Sequence, residues 1–231
     1  MKNSRREIII LSSVVILSAG LLYTAFLLQI PLSVQAYYTS PTTQVATVTL
    51  TVNKEIEITS ISTSALLPAI YGITGNPGSP AVATATFNII TNDVGGYSVT
   101  VTGSGANSLV NGADATAYFT DYSASTTLNW KAATAGTSEF GYSVIPAAAN
   151  TWVAAMKNNS SVCGTGSTQT SLACWVGLTG SAFTILTNAT ASAVAGDAET
   201  INFKAEFNPN ASTFMKSGSY QSVVTITATA T

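Results

Sequence analysis

Few residues in this 231-residue chain are of types that carry out chemistry. Histidine is absent, which excludes a histidine-based triad, an imidazole base and a histidine metal site. Charged residues supply only 8% of the chain, whereas an average soluble protein has ~25%. The carboxylates are scattered, without a pair on a shared strand and turn of the kind that acid–base hydrolysis uses. The sequence therefore predicts a protein that is not an enzyme, with no catalytic residue, no cofactor and no metal.

The two cysteines, Cys163 and Cys174, are separated by ten residues. In an exported protein this spacing is typical of one local disulfide, which would stabilise the fold by ~3 kcal/mol through the short loop it closes. Two free thiols are the alternative. A metal site would need a histidine or a third cysteine, and the chain has neither. We expect a structural bridge.

Four N-x-Ser/Thr sequons begin at Asn158, Asn159, Asn188 and Asn210. In an exported, loop-rich chain these asparagines are candidate glycosylation sites, and glycans would add the solubility that the low charge does not supply. The chain also contains 35 threonines and 27 serines. Chance occurrence of the four sequons is therefore the alternative.

Four aspartates lie in turns rich in glycine and asparagine: Asp93, Asp114, Asp121 and Asp197. Their oxygens could surround Ca²⁺. No D-x-D-x-D run accompanies them, however, and an aspartate in a turn usually accepts hydrogen bonds from its own backbone. We expect the second role.

The three tryptophans, Trp130, Trp152 and Trp175, are candidates for a platform that binds a surface glycan. Aromatic side chains in small sandwiches more often pack in the core or at strand edges. Nucleic acid is excluded as a partner, because a net charge of −2 and a pI near 4.9 do not neutralise phosphates.

The first 36 residues differ from the rest of the chain. Three basic residues precede an uncharged apolar stretch, residues 8–30, and the small residues Val34 and Ala36 fit cleavage before Tyr37. This is a secretory signal pattern. The apolar stretch would span ~34 Å as a helix, enough to cross a bilayer, so an uncleaved signal-anchor is the alternative and a pilin-like leader a third. All three predict an extracellular, cell-surface location, with membrane contact only through this segment.

After residue 36, apolar and polar residues alternate in short runs bounded by Gly, Pro, Asn and Ser, which is typical of β-strands. Residues 201–207 give the clearest example. About eight to ten such runs, without an internal repeat, predict a single all-β domain over residues 59–231. We expect a β-sandwich of jelly-roll or immunoglobulin-like type, with a short helix around residues 152–156.

The segment over residues 37–58 is predicted as an N-terminal strand. Val48, Leu50 and Val52 alternate with threonines, and Ile56 and Ile58 continue the same parity. Such a segment could be the first strand of its own sandwich. It could also be a donor strand that completes the sandwich of a neighbouring copy through main-chain hydrogen bonds and alternate side chains.

Two sequence segments resemble segments of known secreted proteins. The closing stretch, residues 217–231, has the "G-x-Y-x-x-x-V-T-V-T" form of microbial surface β-sandwiches, which include fimbrial and spore-coat-U-like pilins. Residues 91–101 are similar to the "D-x-x-G-W-x-L-x-V" segment of W-x-L-type cell-wall domains, with Tyr97 in place of the tryptophan. The W-x-L tripeptide itself is absent, so attachment to peptidoglycan does not follow. The resemblance implies a surface or filament protein.

Together these features favour a structural subunit of an extracellular filament or surface coat, a homo-oligomer assembled by strand donation. Export, very low charge, threonine-rich strands and the lack of a chemical site support this hypothesis. The alternative is a monomeric or membrane-anchored surface domain that binds glycan or cell wall. The size of the protein's assemblies would separate the two.

Overall fold

A computed structural model describes residues 49–62, 64–123, 125–147 and 151–231. The predicted leader, residues 1–36, and most of the predicted donor strand, including Val48, lie outside these described residues. The strands are β1 (Ile56–Thr59), β2 (Ala81–Thr91), β3 (Tyr97–Thr102), β4 (Leu109–Asn111), β5 (Asp114–Asp121), β6 (Thr137–Ile145), β7 (Thr151–Trp152), β8 (Val176–Gly177), β9 (Phe183–Asn188), β10 (Asp197–Asn208), β11 (Tyr220–Gln221) and β12 (Thr225–Ala230). A 3₁₀ turn at Ala154–Met156 confirms the short helix predicted there.

The described strands form two sheets of unequal width. In the larger sheet the order is β1–β2–β10–β6–β5–β4–β11, and β8 pairs with β6 as an additional strand. The smaller sheet has the order β12–β3–β9–β7. Neighbouring strands are antiparallel, with β5 and β6 as the parallel pair. The prediction of an all-β, sandwich-like fold is confirmed.

The alternation of side chains along the long strands decides which face each sheet turns to the core. Along β2, every second residue from Ala81 to Ile89 is buried, while the residues between them face outward. In β10, which lies between β2 and β6, Ile201, Phe203 and Phe207 point inward. Successive side chains of a strand point to opposite faces, so an alternating sequence has one apolar face to bury.

The core joins the inner faces of both sheets. The larger sheet contributes Phe87, Ile89, Val144 and Ile201, and the smaller sheet contributes Val99, Val101, Ile185 and Leu186. All of these side chains are almost completely removed from solvent. Burial of each one stabilises the fold by ~1.5–3 kcal/mol relative to an exposed position.

The structure describes residues 49–58 of the predicted N-terminal strand. Residues 49–55 form no strand within the subunit, and β1 begins at Ile56, which lies opposite Thr91 at the end of β2. Beyond Thr91 the chain of β2 enters a turn at residues 92–96. Pairing of residues 37–55 with a neighbouring copy therefore stays a prediction.

Candidate functional site

The cysteine pair holds the long loop between the 3₁₀ turn and β8. Cys163 and Cys174 form a disulfide, as predicted, and both are buried. The side-chain amide of Asn158 lies against this bridge, with Nδ2 donating to the side-chain carbonyl of Gln169 over 2.8 Å. The bridge is surrounded by packed protein and by hydrogen bonds of the loop, which fits a structural role.

Two of the four candidate aspartates pair with lysines. Asp93 is buried, accepts a hydrogen bond from the backbone N–H of Gly95 over 2.9 Å, and forms an ion pair with Lys54 at 2.8 Å. The hydrogen bond from Lys54, followed by that from Gly95, lowers the pKa of Asp93. Asp114 accepts hydrogen bonds from Lys216 and Thr116, and these lower its pKa in the same way.

The other two aspartates organise turns. Asp121 accepts hydrogen bonds from the backbone N–H groups of Asn107 and Ser108, each over 3.1 Å. Asp197 accepts from the hydroxyl of Tyr97 over 2.6 Å and from the amide of Asn188 over 3.1 Å. Among the described residues, no three histidine, cysteine, aspartate or glutamate side chains come together as a metal site would require.

The four sequon asparagines divide into two pairs. Asn158 and Asn188 are buried, and each uses its side-chain amide in hydrogen bonds within the fold. Asn159 and Asn210 are exposed. The side-chain oxygen of Asn159 accepts from the backbone N–H groups of Ser167 and Thr168. In the folded chain, only the exposed pair presents its side chains to solvent.

The structure brings two of the three tryptophans together, and the third belongs to the other sheet. Trp130 stacks on Tyr122 at 4.3 Å and meets Trp175 edge-on at 5.6 Å, whereas Trp152 belongs to β7 of the smaller sheet. Trp175 is only 2% exposed, and the ammonium group of Lys204 lies 4.2 Å from its ring centre. This is the geometry of a cation–π contact in a packed cluster, and it leaves little of the Trp175 ring for a ligand.

Beside the tryptophans lies a pair of carboxylates that the sequence did not indicate. Glu139 of β6 and Glu206 of β10 are directly opposite in the strand register. Burial, and then the charge of Glu206, raise the pKa of Glu139. The carboxylate of Glu206 accepts hydrogen bonds from the indole of Trp130 and from the backbone N–H of Gly78. The pair is 67 residues apart in sequence, so only knowledge of the register could have found it.

An apolar groove lies beside β4, β5, β10 and β11 of the larger sheet. Loops before β2 and before β11 form its walls, and core-facing residues of the larger sheet line it, among them Leu109, Phe119 and Ala205. The groove has a volume of about 750 Å³. Four large side chains along its walls are between 71% and 90% exposed: Leu66, Tyr71, Ile73 and Phe214. An exposed apolar patch of this kind is typical of an interaction surface.

The outer edge of β12 is a second candidate surface, called the open edge below. Among the described residues, β12 pairs with β3 alone and ends the smaller sheet. Its six residues carry neither a charge nor a proline. Thr225, Thr227 and Thr229 face solvent, and the residues between them are half-buried. An edge strand of this kind presents unpaired N–H and C=O groups to another strand.

The start of the described chain has the opposite character, because it offers apolar side chains without a place to bury them. Leu50 is 84% exposed and Val52 is 74% exposed. Both lie in the stretch 49–55, which forms no strand. Lys54 anchors the end of this stretch, since its ammonium group donates to the backbone carbonyl of Thr231, directly after β12, over 2.7 Å.

Comparison with known proteins does not identify a family for this chain. Its sequence matches no family model, and it matches no curated protein. Within the described residues, no helix has the length and apolar character needed to span a membrane. What the chain does must therefore be inferred from its own residues, from the open edge, the apolar groove and the exposed segment before β1.

Proposed function

We propose that this protein is a structural subunit of an extracellular filament or surface coat, assembled by donation of an N-terminal strand to a neighbouring copy. The observation that carries the proposal is the exposure of Leu50 and Val52. They continue an alternation of apolar residues and threonines that begins at Val48. Such a pattern is typical of a strand with one buried face, and the described part of this segment has no strand to pair with.

Donation would give these side chains a place to bury. Burial of Leu50 and Val52 in another subunit contributes ~1.5–3 kcal/mol for each side chain, with main-chain hydrogen bonds in addition. A contact in which each copy donates to the next is heterologous. Unless its rotation closes into a ring, it extends into a filament.

The composition is compatible with this role. Between Glu7 and Lys54 the chain carries no charge, and it carries none after Lys216. Few charges then have to be removed from water when copies associate, a step that would otherwise oppose assembly. The leader pattern and the disulfide support export to the cell surface. Glycosylation at the exposed Asn159 and Asn210 is compatible with that location.

The direct test is a double substitution, Leu50→Ser with Val52→Ser, in the full-length chain. We expect high-mass, denaturation-resistant assemblies to be lost, with a folded monomer remaining, because the donated side chains lose their apolar character. The matched control, Thr49→Ser with Thr51→Ser, changes the opposite face of the segment and should assemble normally. Electron microscopy and size-exclusion chromatography give the readout.

Deletion of residues 42–52 provides a second form of the test. A deleted chain should be a soluble monomer that binds an added peptide of the same sequence. The proposal is wrong if filaments persist after either change, or if the unaltered mature protein is a stable monomer at high concentration. A stable monomer would favour the alternative of a surface domain that binds glycan or cell wall.

A further inference from the structure

Resting on the proposed function, we infer that the acceptor for the donated segment is the open edge of β12 in a neighbouring copy. The occupant is the stretch around Val48, Leu50 and Val52, paired with β12 as a fifth strand of the smaller sheet. The apolar groove is the competing location, and the same segment folded back onto its own subunit is the competing arrangement.

The outer edges of the two described sheets differ in how they are protected. The edge strands β7, β8 and β11 have only two residues each. The β1 edge is flanked by Lys54 and Glu55 and carries Glu57, all of them exposed. Short length and charge are the common devices that prevent pairing at a strand edge. Among the described strands, β12 ends a sheet over six residues and has neither device.

The core is incompletely covered beside the open edge. Ile56 and Ile58 of β1 and Ile226 and Ala228 of β12 pack against the core but remain half-exposed. β1 and β12 also lie close to each other. A strand added beside β12 would therefore extend this margin and bury apolar side chains against it, while its threonines would face solvent as Thr225, Thr227 and Thr229 do.

Pairing of the segment with its own β12 is absent from the part of the chain that the structure describes, where β12 pairs with β3 alone. Lys54 lies beside the end of β12, since its ammonium group donates to the backbone carbonyl of Thr231. Residues 52 and 53, directly before Lys54, form no strand, and Val52 is 74% exposed. The inference therefore places the acceptor in a second copy.

The apolar groove is a weaker acceptor because of its walls. Residues 66–73 and 214–219 line it as loops, without strand structure. A segment placed there would bury side chains but would find no ladder of main-chain donors and acceptors along its length. Strand addition obtains its affinity from such a ladder and its specificity from alternate side-chain pockets. The β12 edge offers the ladder, together with the half-exposed apolar side chains of β1 and β12 beside it.

Photo-crosslinking of assembled protein tests the location. Leu50→Cys supplies a single reactive thiol, because Cys163 and Cys174 remain bonded to each other, and this thiol is labelled with a benzophenone maleimide. Assembly from a mixture of ¹⁵N-labelled and unlabelled full-length chains distinguishes crosslinks between copies from those within one copy. We expect mixed-isotope crosslinks to peptides covering residues 224–231. Thr51→Cys, on the opposite face, serves as the second labelling site if the label at residue 50 prevents assembly.

The outcomes separate the two proposals. Assemblies whose crosslinks fall on residues 66–73 or 214–219 overturn the β12 acceptor but keep strand donation. Assemblies whose crosslinks stay within one copy overturn both, since the segment then completes its own sandwich. Failure of the unlabelled, unaltered protein to assemble overturns the proposed function, and the acceptor with it.

Discussion

The two strands at the N- and C-terminal ends of the described sandwich, β1 and β12, both end a sheet, but they meet solvent in opposite ways. β1 carries Glu57 and is preceded by Lys54 and Glu55. β12 carries only threonine, isoleucine and alanine. Charge on an edge strand opposes the approach of another strand, and its absence permits it. Under the proposed strand donation, this difference predicts that an added strand pairs with β12 and not with β1.

The largest effect on assembly is expected when β12 is given charged side chains like those that protect the edge of β1. Thr227→Lys with Thr229→Lys places two like charges on the open edge of every copy. We expect the concentration needed for assembly to rise about tenfold or more, equivalent to ~1.4 kcal/mol or more per junction. Sedimentation of assemblies against protein concentration measures it.

The matched control for this change lies on β9, in the interior of the same sheet. Thr184 and Thr187 are exposed like the two threonines of β12, but β9 pairs with β3 along its length and with β7 at Leu186 and Thr187. Thr184→Lys with Thr187→Lys adds the same charge without touching the edge. If it impairs assembly as strongly as the β12 substitutions, the effect belongs to net charge, and the comparison of edges fails.

A smaller effect is expected from removing the protection of β1. Glu55→Thr with Glu57→Thr removes both carboxylates from this edge and leaves Lys54, which forms an ion pair with Asp93. We expect additional, lateral association of assemblies, visible as bundling by electron microscopy, with little change in the thermal midpoint of unfolding, because both side chains are exposed. Unchanged assemblies would mean that the charges on β1 do not control pairing.

The smallest effect concerns the ion pair that anchors the N-terminal segment. The pKa of Asp93 is lowered by the hydrogen bonds from Lys54 and Gly95. Its folded pKa therefore lies below the unfolded value of about 4. This interaction contributes stability above pH ~4, and the contribution is lost as the pH falls through the folded pKa.

Lys54→Met should accordingly lower the thermal midpoint of unfolding at pH 7. At pH 3 the midpoints of the variant and the unaltered protein should differ by less. Calorimetry at pH 7 and pH 3 provides the measurement. Lys131→Met is the control, because Lys131 is an exposed lysine that forms no ion pair among the described residues. Equal differences at both pH values would contradict a role for the Asp93 carboxylate.

The sequence predicted the features that depend on local pattern. Alternation over residues 201–207 identified the buried face of β10, and the spacing of Cys163 and Cys174 identified the disulfide. Features that depend on register could not be predicted. The opposition of Glu139 and Glu206 arises from the pairing of two strands that are distant in sequence.

The sequence pattern does not say where a strand pairs. The alternation from Val48 to Val52 has the form of a strand, and its described part forms none within the subunit, where β2 ends opposite Ile56. The burial of the sequon residues Asn158 and Asn188 could not be predicted from the sequence either, because it depends on how the loops pack. The apolar groove could not be predicted either, because the loops and strands that line it are distant in sequence.

The most direct test of strand donation to β12 is a cryo-electron microscopy map of the assembled protein. The account predicts a smaller sheet of five strands, in which the added strand lies beside Thr225–Ala230 and connects to the N-terminal segment of the adjacent subunit. Side-chain density should place Leu50 and Val52 toward the core and Thr49 and Thr51 toward solvent. An assembly in which the outer edge of β12 remains unpaired, or pairs with its own N-terminal segment, would contradict the account.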